Sequence, residues 1–473
     1  MLFNSFGFLF FFFVVLFLLK IENYTTKNIV IRNSILLISS YVFYGWFNIS
    51  FLFILLFVTI INYITGYIIL NSKRYNKIVL GVGTTLSLLP LLFYKYLSFI
   101  LQNIQALLGN GIVVELNSNI IMPIGISFFT FQALTYSIDI YRGKIAQKYS
   151  LPDFMLFVSF FPTVLSGPIE KARNLLPQIQ KYNTISLCNF MQGAQYFIWG
   201  LFKKIVIADR LSQYIDWVYN SVEYQNGSTL ALTAILYSIQ IYCDFSGYSD
   251  MALGVAKGLG FNITQNFRFP YFATSIKEFW HRWHISLTSW FTEYVYFSLG
   301  GNRVRLKARW IFNISMVFLL SGIWHGASWN FLLWGLLHSV YYIIEYAFGI
   351  QNKDYKIKSF LRIPACAIVF ILVTFAWIFF RIEDFSTAIY ILNKIFTDFT
   401  SPIAVGASTF TFACNMMLVI IFILLDWILY KRISFNENKL AQPTAINILY
   451  LVAILLMITL FGVSADNFVY FQF

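Results

Sequence analysis

Apolar stretches of about the length that a helix needs to cross a bilayer recur along the whole 473-residue chain. They predict helices at Leu2–Leu19, Ser34–Phe47, Phe51–Leu70, Val79–Leu101, Ile121–Ile138, Phe154–Leu165, Phe190–Ile207, Ala231–Tyr242, Trp310–Ile323, Trp329–Ile344, Ile363–Phe380, Phe410–Leu429 and Ile446–Phe461. Several are too short to cross alone and suit re-entrant or interfacial helices. We therefore predict an all-α, polytopic integral membrane protein with roughly eleven transmembrane helices.

The composition supports this fold class. Hydrophobic residues make up 59% of the chain and charged residues 11%, whereas about a quarter of the residues are charged in a typical soluble domain. The first apolar stretch lacks a basic leader and a small-residue cleavage site, which predicts a retained first helix. Without an internal repeat, a linker or a soluble appendage, the pattern predicts one membrane domain over residues 1–473.

The net charge of +13 comes from basic clusters in short segments beside the apolar stretches. This distribution follows the positive-inside rule, so it argues for a membrane orientation and against nucleic-acid binding. The rule predicts that residues 73–77, 303–309, 353–362 and 431–432 all lie in the cytoplasm. The four cysteines have no CxxC spacing and predict neither a disulfide framework nor a metal site.

Polar, glycine and aromatic residues interleave from Tyr242 to Arg309, where the hydrophobic runs shorten. Such a segment is a poor spanning helix. At membrane depth, polar and irregular backbone is tolerated only where it is buried in protein or lines a wet cavity. We predict that this segment forms the functional interior or its cytoplasmic mouth.

An ionisable side chain, His325, lies in "SGIWHGASWN" (321–330), within an uncharged stretch from Trp310 to Ile344. The flanking basic clusters predict that the chain enters and leaves on one side, with a turn near Gly322–Ser328. Ionisable residues inside a membrane tend to be functional, and imidazole is the usual general base. His325 is therefore a candidate catalytic base; the alternative is a structural histidine bonded to a neighbouring helix.

The other histidines give weaker signals. The i, i+3 spacing of His281 and His284 would allow them to share one face of an amphipathic helix, but "HRWH" offers no further ligand and no metal site is expected. His338 lies in a uniformly apolar segment and is interpreted as a structural, interior histidine whose hydrogen bonds are satisfied. The chain lacks a P-loop, a GxSxG elbow and a dinucleotide-binding fingerprint, which argues against ATPases, serine hydrolases and NAD enzymes.

Two segments, "FWHRWHISLTSWFTEYVYFSLGGNR" (279–303) and "SGIWHGASWNFLLWGLLH" (321–338), strongly resemble the membrane-bound O-acyltransferase family. The closest likeness is to its bacterial polysaccharide branch, which includes alginate and peptidoglycan O-acetyltransferases and the teichoic-acid D-alanyl transferase. The resemblance continues in "SYVFYGWFN" (40–48), "PIGISFFTFQALTYSIDIYRG" (123–143), "FFPTVLSGPIEKARNLLPQI" (160–179), "IYCDFSGYSDMALG" (241–254) and "WIFFR" (377–381). These segments are spread over most of the chain, so the resemblance is specific.

The resemblance implies that His325, in the WHG motif, is catalytic and that His284, in "RWHIS", is the second histidine involved. It also implies that the helices surround a central tunnel. Thr292 and Glu293 stand where the family often has an Arg-Asp pair. The substitution keeps a carboxylate and loses a cation, so we assign neither residue a role.

The expected chemistry is acyl transfer to a hydroxyl, with His325 as the base that deprotonates it. Trp324 and Trp329 are expected to wall the tunnel and exclude water, which limits hydrolysis of the donor. Asp244 or a backbone carbonyl is expected to orient the imidazole. Asp244 and Arg282 complete the predicted substrate-binding residues.

The resemblance further implies an acyl thioester donor such as acetyl-CoA on the cytoplasmic side, with no bound cofactor. The acceptor would be an extracytoplasmic polysaccharide such as peptidoglycan or alginate, reached with a periplasmic or extracellular acetyltransferase partner. The expected location is the cytoplasmic (inner) membrane. The alternatives are D-alanyl transfer to teichoic acid, a transporter, which predicts polar residues along several helices, and a non-enzymatic scaffold.

Overall fold

The computed structural model describes residues 1–72, 75–108, 121–351, 357–406, 408–435 and 445–463, with the side chains of 432–435 and 445–448 excepted. Helices are the only regular elements in those ranges. They form two compact units, of which the first comprises Met1–Phe197 and Ala252–Thr264 and the second Ile198–Met251 and Gln265–Phe473. Residues 73–74 and 353–356 of the predicted cytoplasmic clusters lie outside the described residues.

Among the described residues, the first unit contains the end, from Ala252, of the long helix Gly227–Gly258, together with eight complete helices and the beginning of a ninth. These are α1 (Phe6–Thr25), α2 (Ile29–Gly45), α3 (Ser50–Asn71), α4 (Asn76–Leu91), α5 (Leu97–Leu108), α6 (Ile126–Tyr141), α7 (Leu151–Ser159), α8 (Ala172–Ile179) and α9 (Leu187–Phe202). A π-helical turn at Leu92–Tyr96 joins α4 to α5. Nearly every side chain of α6 is buried, so this helix packs against protein on all its faces.

One predicted spanning stretch of this unit, Phe154–Leu165, is wrong. Helix α7 ends at Ser159, and the chain then turns through buried residues up to Ser166. Pro162 explains the difference, because a proline disfavours helical backbone at the residue before it and cannot donate an amide hydrogen bond.

The second unit contains the rest of α9, the long helix Gly227–Gly258 as far as Met251, and the remaining described helices. These are α10 (Asp209–Tyr219), α11 (Gly227–Gly258), α12 (Ile276–Arg282), α13 (Ile285–Trp290), α14 (Lys307–His325), α15 (Trp329–Ala347), α16 (Arg362–Arg381), α17 (Phe385–Thr397), α18 (Thr409–Phe435) and α19 (Ala445–Phe461). Two π-helical turns, at Lys203–Ala208 and Phe291–Tyr296, follow α9 and α13. Short 3-10 turns occur at Val222–Tyr224, Pro270–Phe272 and Ser359–Leu361.

The prediction that a non-spanning polar segment begins at Tyr242 is wrong for its first part. Helix α11 continues through this region to Gly258 and is 32 residues long. Its buried carboxylates, Asp244 and Asp250, each form an ion pair at 2.6 Å, with Lys204 and Lys203 respectively. Pairing reduces the cost of burying these charges, which lets a polar sequence continue as a buried helix. Irregular backbone begins only after α11.

Helices α14 and α15 form the hairpin that the sequence predicts. The rings of Trp310 and Tyr346 lie 4.2 Å apart, so the first turn of α14 lies beside the last turn of α15. The turn falls at Gly326–Ser328, later than its predicted start. Gly322 instead lies within α14, where a Cβ would come within 2.3 Å of the Phe331 carbonyl oxygen. This glycine therefore permits the close approach of the two helices.

Several described helices are long and apolar enough to cross a membrane. The five candidates are Phe6–Thr25, Ser50–Asn71, Asn76–Leu108, Ser359–Arg381 and Thr409–Lys431. Shorter apolar helices lie at Ile29–Gly45 and Leu449–Phe461. The figure of roughly eleven crossings and the tunnel remain predictions.

The orientation of the hairpin leads to a topology prediction. Residues 303–309 lead into α14 and form its first turn, and residues 357–362 follow α15. Both basic segments should therefore be on one side, which the positive-inside rule makes cytoplasmic. A single cysteine introduced near Arg305 should resist a membrane-impermeant thiol reagent added to intact cells. Modification from outside, with the same residue protected in inverted vesicles, would reverse the assignment.

Candidate active site

His325 is the last residue of α14, and its imidazole is enclosed by aromatic rings. The residue is 3% exposed. Its ring makes T-shaped contacts with Trp324, Trp334 and Phe380, at centroid distances of 4.9, 5.1 and 5.1 Å. These rings come from α14, α15 and α16. The imidazole, which can take up and release a proton, is therefore surrounded by apolar rings that exclude water.

His284 lies between α12 and α13 and packs against the same indole. It is 1% exposed, and its ring lies 4.6 Å from Phe245 and 5.9 Å from Trp324. Trp324 therefore contacts both predicted catalytic histidines. His281 and His284 do not share a helix, although their spacing allowed it, because α12 ends at Arg282; His281 is exposed.

The backbone of His284 adopts a left-handed conformation, with φ of 43°. For a residue other than glycine this conformation costs on the order of 1–3 kcal/mol and requires support from its surroundings. Asn266, which is 0% exposed, accepts hydrogen bonds from the next two amides, with its carbonyl oxygen 2.9 Å from Ile285 N and its Oδ1 3.2 Å from Ser286 N. Its Nδ2 donates to Ser249 Oγ at 3.3 Å.

The short helix α12, which leads into His284, is fixed at its first turn. The hydroxyl of Ser275 caps it by accepting a hydrogen bond from Glu278 N at 3.0 Å. The carboxylate of Glu345 accepts hydrogen bonds from the backbone amides of Ile276 and Lys277. Since Glu345 belongs to α15, it ties α12 to the hairpin that carries His325.

Asp244, a predicted substrate-binding residue, is 1% exposed and is part of a buried charged cluster. Lys204 Nζ lies 2.6 Å from the Asp244 carboxylate and 2.8 Å from that of Asp209. Lys204 belongs to the π-helical turn after α9, and such turns often occur at functional sites. The next residue after Asp244 is Phe245, which contacts His284. This ion pair therefore holds α11 in place next to the residue that contacts the His284 ring.

Arg282 and Trp329, the other predicted substrate-binding residues, differ in burial: Arg282 is half-buried, whereas Trp329 is exposed. The Arg282 guanidinium forms an ion pair with Glu278, donates to the Phe269 carbonyl at 3.4 Å, and lies 5.4 Å from the ring centre of Tyr430. Trp329 begins α15 and is 63% exposed. It therefore does not share the burial of Trp324 beside His325.

His338 is interior, as predicted, but the prediction that its hydrogen bonds are satisfied is wrong. It is 0% exposed, and its ring lies 4.9 Å from both Trp280 and Trp334. Within the described ranges neither ring nitrogen has a hydrogen-bond partner. Aromatic packing rather than hydrogen bonding therefore surrounds it.

Sequence reasoning missed several residues around the two histidines, among them Trp334, Phe380 and Lys204. A hairpin turn after His325 brings α15 back along α14. This geometry could have predicted that Trp334 lies beside His325. The motif "WIFFR" contains Phe380, although nothing local places it beside a histidine. Lys204 and its neighbour Lys203 interrupt an apolar stretch, and an intramembrane lysine requires a buried acidic partner.

Comparison with known proteins shows the family of the chain. The sequence model of MBOAT, the membrane-bound O-acyltransferase family, matches residues 79–384. The chain is 37% identical to the probable alginate O-acetylase AlgI of Pseudomonas syringae pv. tomato, over 82% of this chain and 74% of that protein.

More distant relatives carry other names. The peptidoglycan O-acetyltransferase of Helicobacter pylori is 33% identical over 78% of this chain and 74% of its own length. The teichoic acid D-alanyltransferase of Bacillus subtilis is 28% identical over 68% of this chain and 82% of its own length. Together with the apolar helices described above, these matches support an acyltransferase over the transporter and scaffold alternatives. The chain belongs to the membrane-bound O-acyltransferase family and is a multi-pass membrane acyltransferase.

Proposed function

We propose that this acyltransferase moves an acetyl group from a cytoplasmic thioester, such as acetyl-CoA, to a hydroxyl of an extracytoplasmic polysaccharide. Relatives named for O-acetylation of alginate and of peptidoglycan are 33–37% identical to this chain over about four fifths of its length. They favour a polysaccharide acceptor and an acetyl donor. The enzyme would act in the cytoplasmic membrane, with residues 1–473 forming one functional domain around a tunnel.

The observation that carries the mechanism is the contact of both buried histidines with Trp324. In the proposed reaction His325 takes the proton from the acceptor hydroxyl, and the hydroxyl oxygen attacks the thioester carbonyl. The carbon–sulfur bond breaks as the ester bond forms. The imidazolium then returns its proton to the departing thiolate, so that His325 ends neutral.

The surrounding residues have supporting roles in this proposal. The indole of Trp324 keeps water from the thioester and spaces the two histidines. His284 lines the region reached by the donor. Asp244 and Arg282 act through the elements they hold, α11 and α12, while the exposed Trp329 is a contact for substrate at the mouth of the site rather than a wall beside His325. A periplasmic or extracellular acetyltransferase partner would bring the polymer hydroxyl to this site.

The contrast between His284 and His281 gives a prediction. His284→Ala should lower acetyl transfer strongly, because it removes a buried imidazole that contacts Trp324. His281→Ala should keep near-normal transfer, because that side chain is exposed at the end of α12. Acetate released by alkali from the cell-surface polymer, at matched membrane abundance, measures both. Full activity in both variants would remove His284 from the mechanism.

The D-alanyl alternative can be tested directly. A relative named teichoic acid D-alanyltransferase is also similar to this chain, although at a lower identity of 28%. Cells that lack the protein should lose alkali-labile acetate from a surface polysaccharide and keep their D-alanine esters. Loss of D-alanine with acetate unchanged would favour the alternative and overturn the acetyl proposal.

A further inference from the structure

We propose that Asn266 is a positioning residue for His284: its hydrogen bonds hold the His284 backbone in the left-handed conformation that directs the imidazole to Trp324. The proposal rests on the proposed function, because it assumes that transfer depends on where the His284 ring lies. Asn266 is 0% exposed and comes from the irregular segment between α11 and α12.

Backbone hydrogen bonds secure the chain on both sides of His284. Before it, the Arg282 carbonyl oxygen accepts a hydrogen bond from Arg268 N at 3.0 Å. After it, Ile285 N donates to the Asn266 carbonyl oxygen at 2.9 Å. The segment 266–268 thus lies alongside 282–285. His284 is between the two bonds, with its φ of 43°.

The side chain of Asn266 makes two further hydrogen bonds, which a residue without this amide could not make. Its Oδ1 accepts from Ser286 N at 3.2 Å, and its Nδ2 donates to Ser249 Oγ at 3.3 Å on α11. Ser249 lies one helical turn after Phe245, the residue whose ring contacts His284 at 4.6 Å. One face of α11 therefore both supports the His284 ring and anchors the residue that fixes its backbone.

The energetic argument is that a strained backbone conformation persists only where several contacts enforce it. Without the Asn266 side chain, His284 is free to relax to an ordinary conformation, which turns its ring away from Trp324. A displacement of about 1 Å at a catalytic group lowers a rate by up to about a hundredfold. Asn266 should therefore affect transfer through His284 without contacting a substrate.

The test uses two variants at this position and one matched control. Asn266→Leu removes both polar atoms at similar volume, whereas Asn266→Asp keeps oxygens that accept from Ser286 N and from the Ser249 hydroxyl. Asn313→Leu is the control, because Asn313 is also 0% exposed and donates to two backbone carbonyls, Leu299 at 3.2 Å and Gly301 at 3.1 Å. Alkali-released acetate per membrane-inserted molecule is measured with the thermal unfolding midpoint of each purified protein.

We expect transfer per molecule to fall about tenfold to a hundredfold in Asn266→Leu. Asn266→Asp should recover part of that loss. Asn313→Leu should keep transfer near the wild-type value, despite a similar fall in its unfolding midpoint. Equal activity of Asn266→Leu and Asn313→Leu would overturn the proposal, as would an Asn266→Asp variant no better than Asn266→Leu.

His284→Ala, assayed in parallel, separates this inference from the proposed function. An inactive His284→Ala beside a fully active Asn266→Leu would overturn the role of Asn266 alone. A fully active His284→Ala would overturn both that role and the place of His284 in the mechanism.

Discussion

His325→Ala should abolish acetylation of the cell-surface polymer while the protein still accumulates in the membrane. Loss of a positioned base slows transfer by roughly a hundredfold or more. The packing cost is smaller: a hydrogen-bonding partner left unsatisfied costs about 1–3 kcal/mol, and the rings of Trp334 and Phe380 keep their own contact at 5.3 Å. The measurement is acetate released by saponification, normalised to membrane-protein abundance.

His338→Ala is the matched control for this variant. It also deletes a buried imidazole that contacts Trp334, but this residue is outside the proposed mechanism, so most activity should remain. Wild-type acetate from His325→Ala would refute the assignment of His325 as the base. Disappearance of His325→Ala from the membrane would instead make it a packing residue.

Lys204→Met should remove most of the folded protein. The variant leaves the carboxylates of Asp209 and Asp244 buried without the ammonium group that pairs with both, at 2.8 and 2.6 Å. Breaking a buried ion pair from one side typically costs about 3–5 kcal/mol. Membrane abundance and the unfolding midpoint in detergent are the measurements, with Lys20→Met, at an exposed position of α1, as the control.

A rescue variant separates charge from packing at this cluster. Adding Asp209→Asn and Asp244→Asn to Lys204→Met removes the uncompensated charges and should restore much of the lost protein. Abundance of Lys204→Met equal to that of Lys20→Met would contradict the structural importance of the ion pair. A triple variant no more abundant than Lys204→Met alone would show that the lysine stem, not its charge, matters.

Local pattern predicts some parts of this fold and not others. The α14–α15 hairpin follows from an uncharged stretch with two basic flanks and a glycine-containing turn, and the structure confirms it through the contact of Trp310 with Tyr346. The end of α7 and the continuation of α11 were mispredicted. Hydropathy averages over a window, whereas Pro162 acts on one residue and the lysine partners of α11 lie on another helix.

The site shows the same division. The sequence motifs selected His325, His284 and Trp324, and the structure brings these three together. Their proximity could not be read from spacing, because His284 lies on a different element from the other two. Neither the left-handed backbone of His284 nor its support by Asn266 could be predicted, since nothing in "RWHIS" requires a positive φ.

The most direct test of the central claim is transfer across a sealed membrane. Inverted vesicles from cells that express the protein and its envelope components would receive acetyl-CoA labelled in the acetyl group on their outer, cytoplasmic face. We predict alkali-labile label on polysaccharide inside vesicles that contain the wild-type protein and almost none with His325→Ala. Equal luminal label in both, or no label above that of vesicles lacking the protein, would contradict the account.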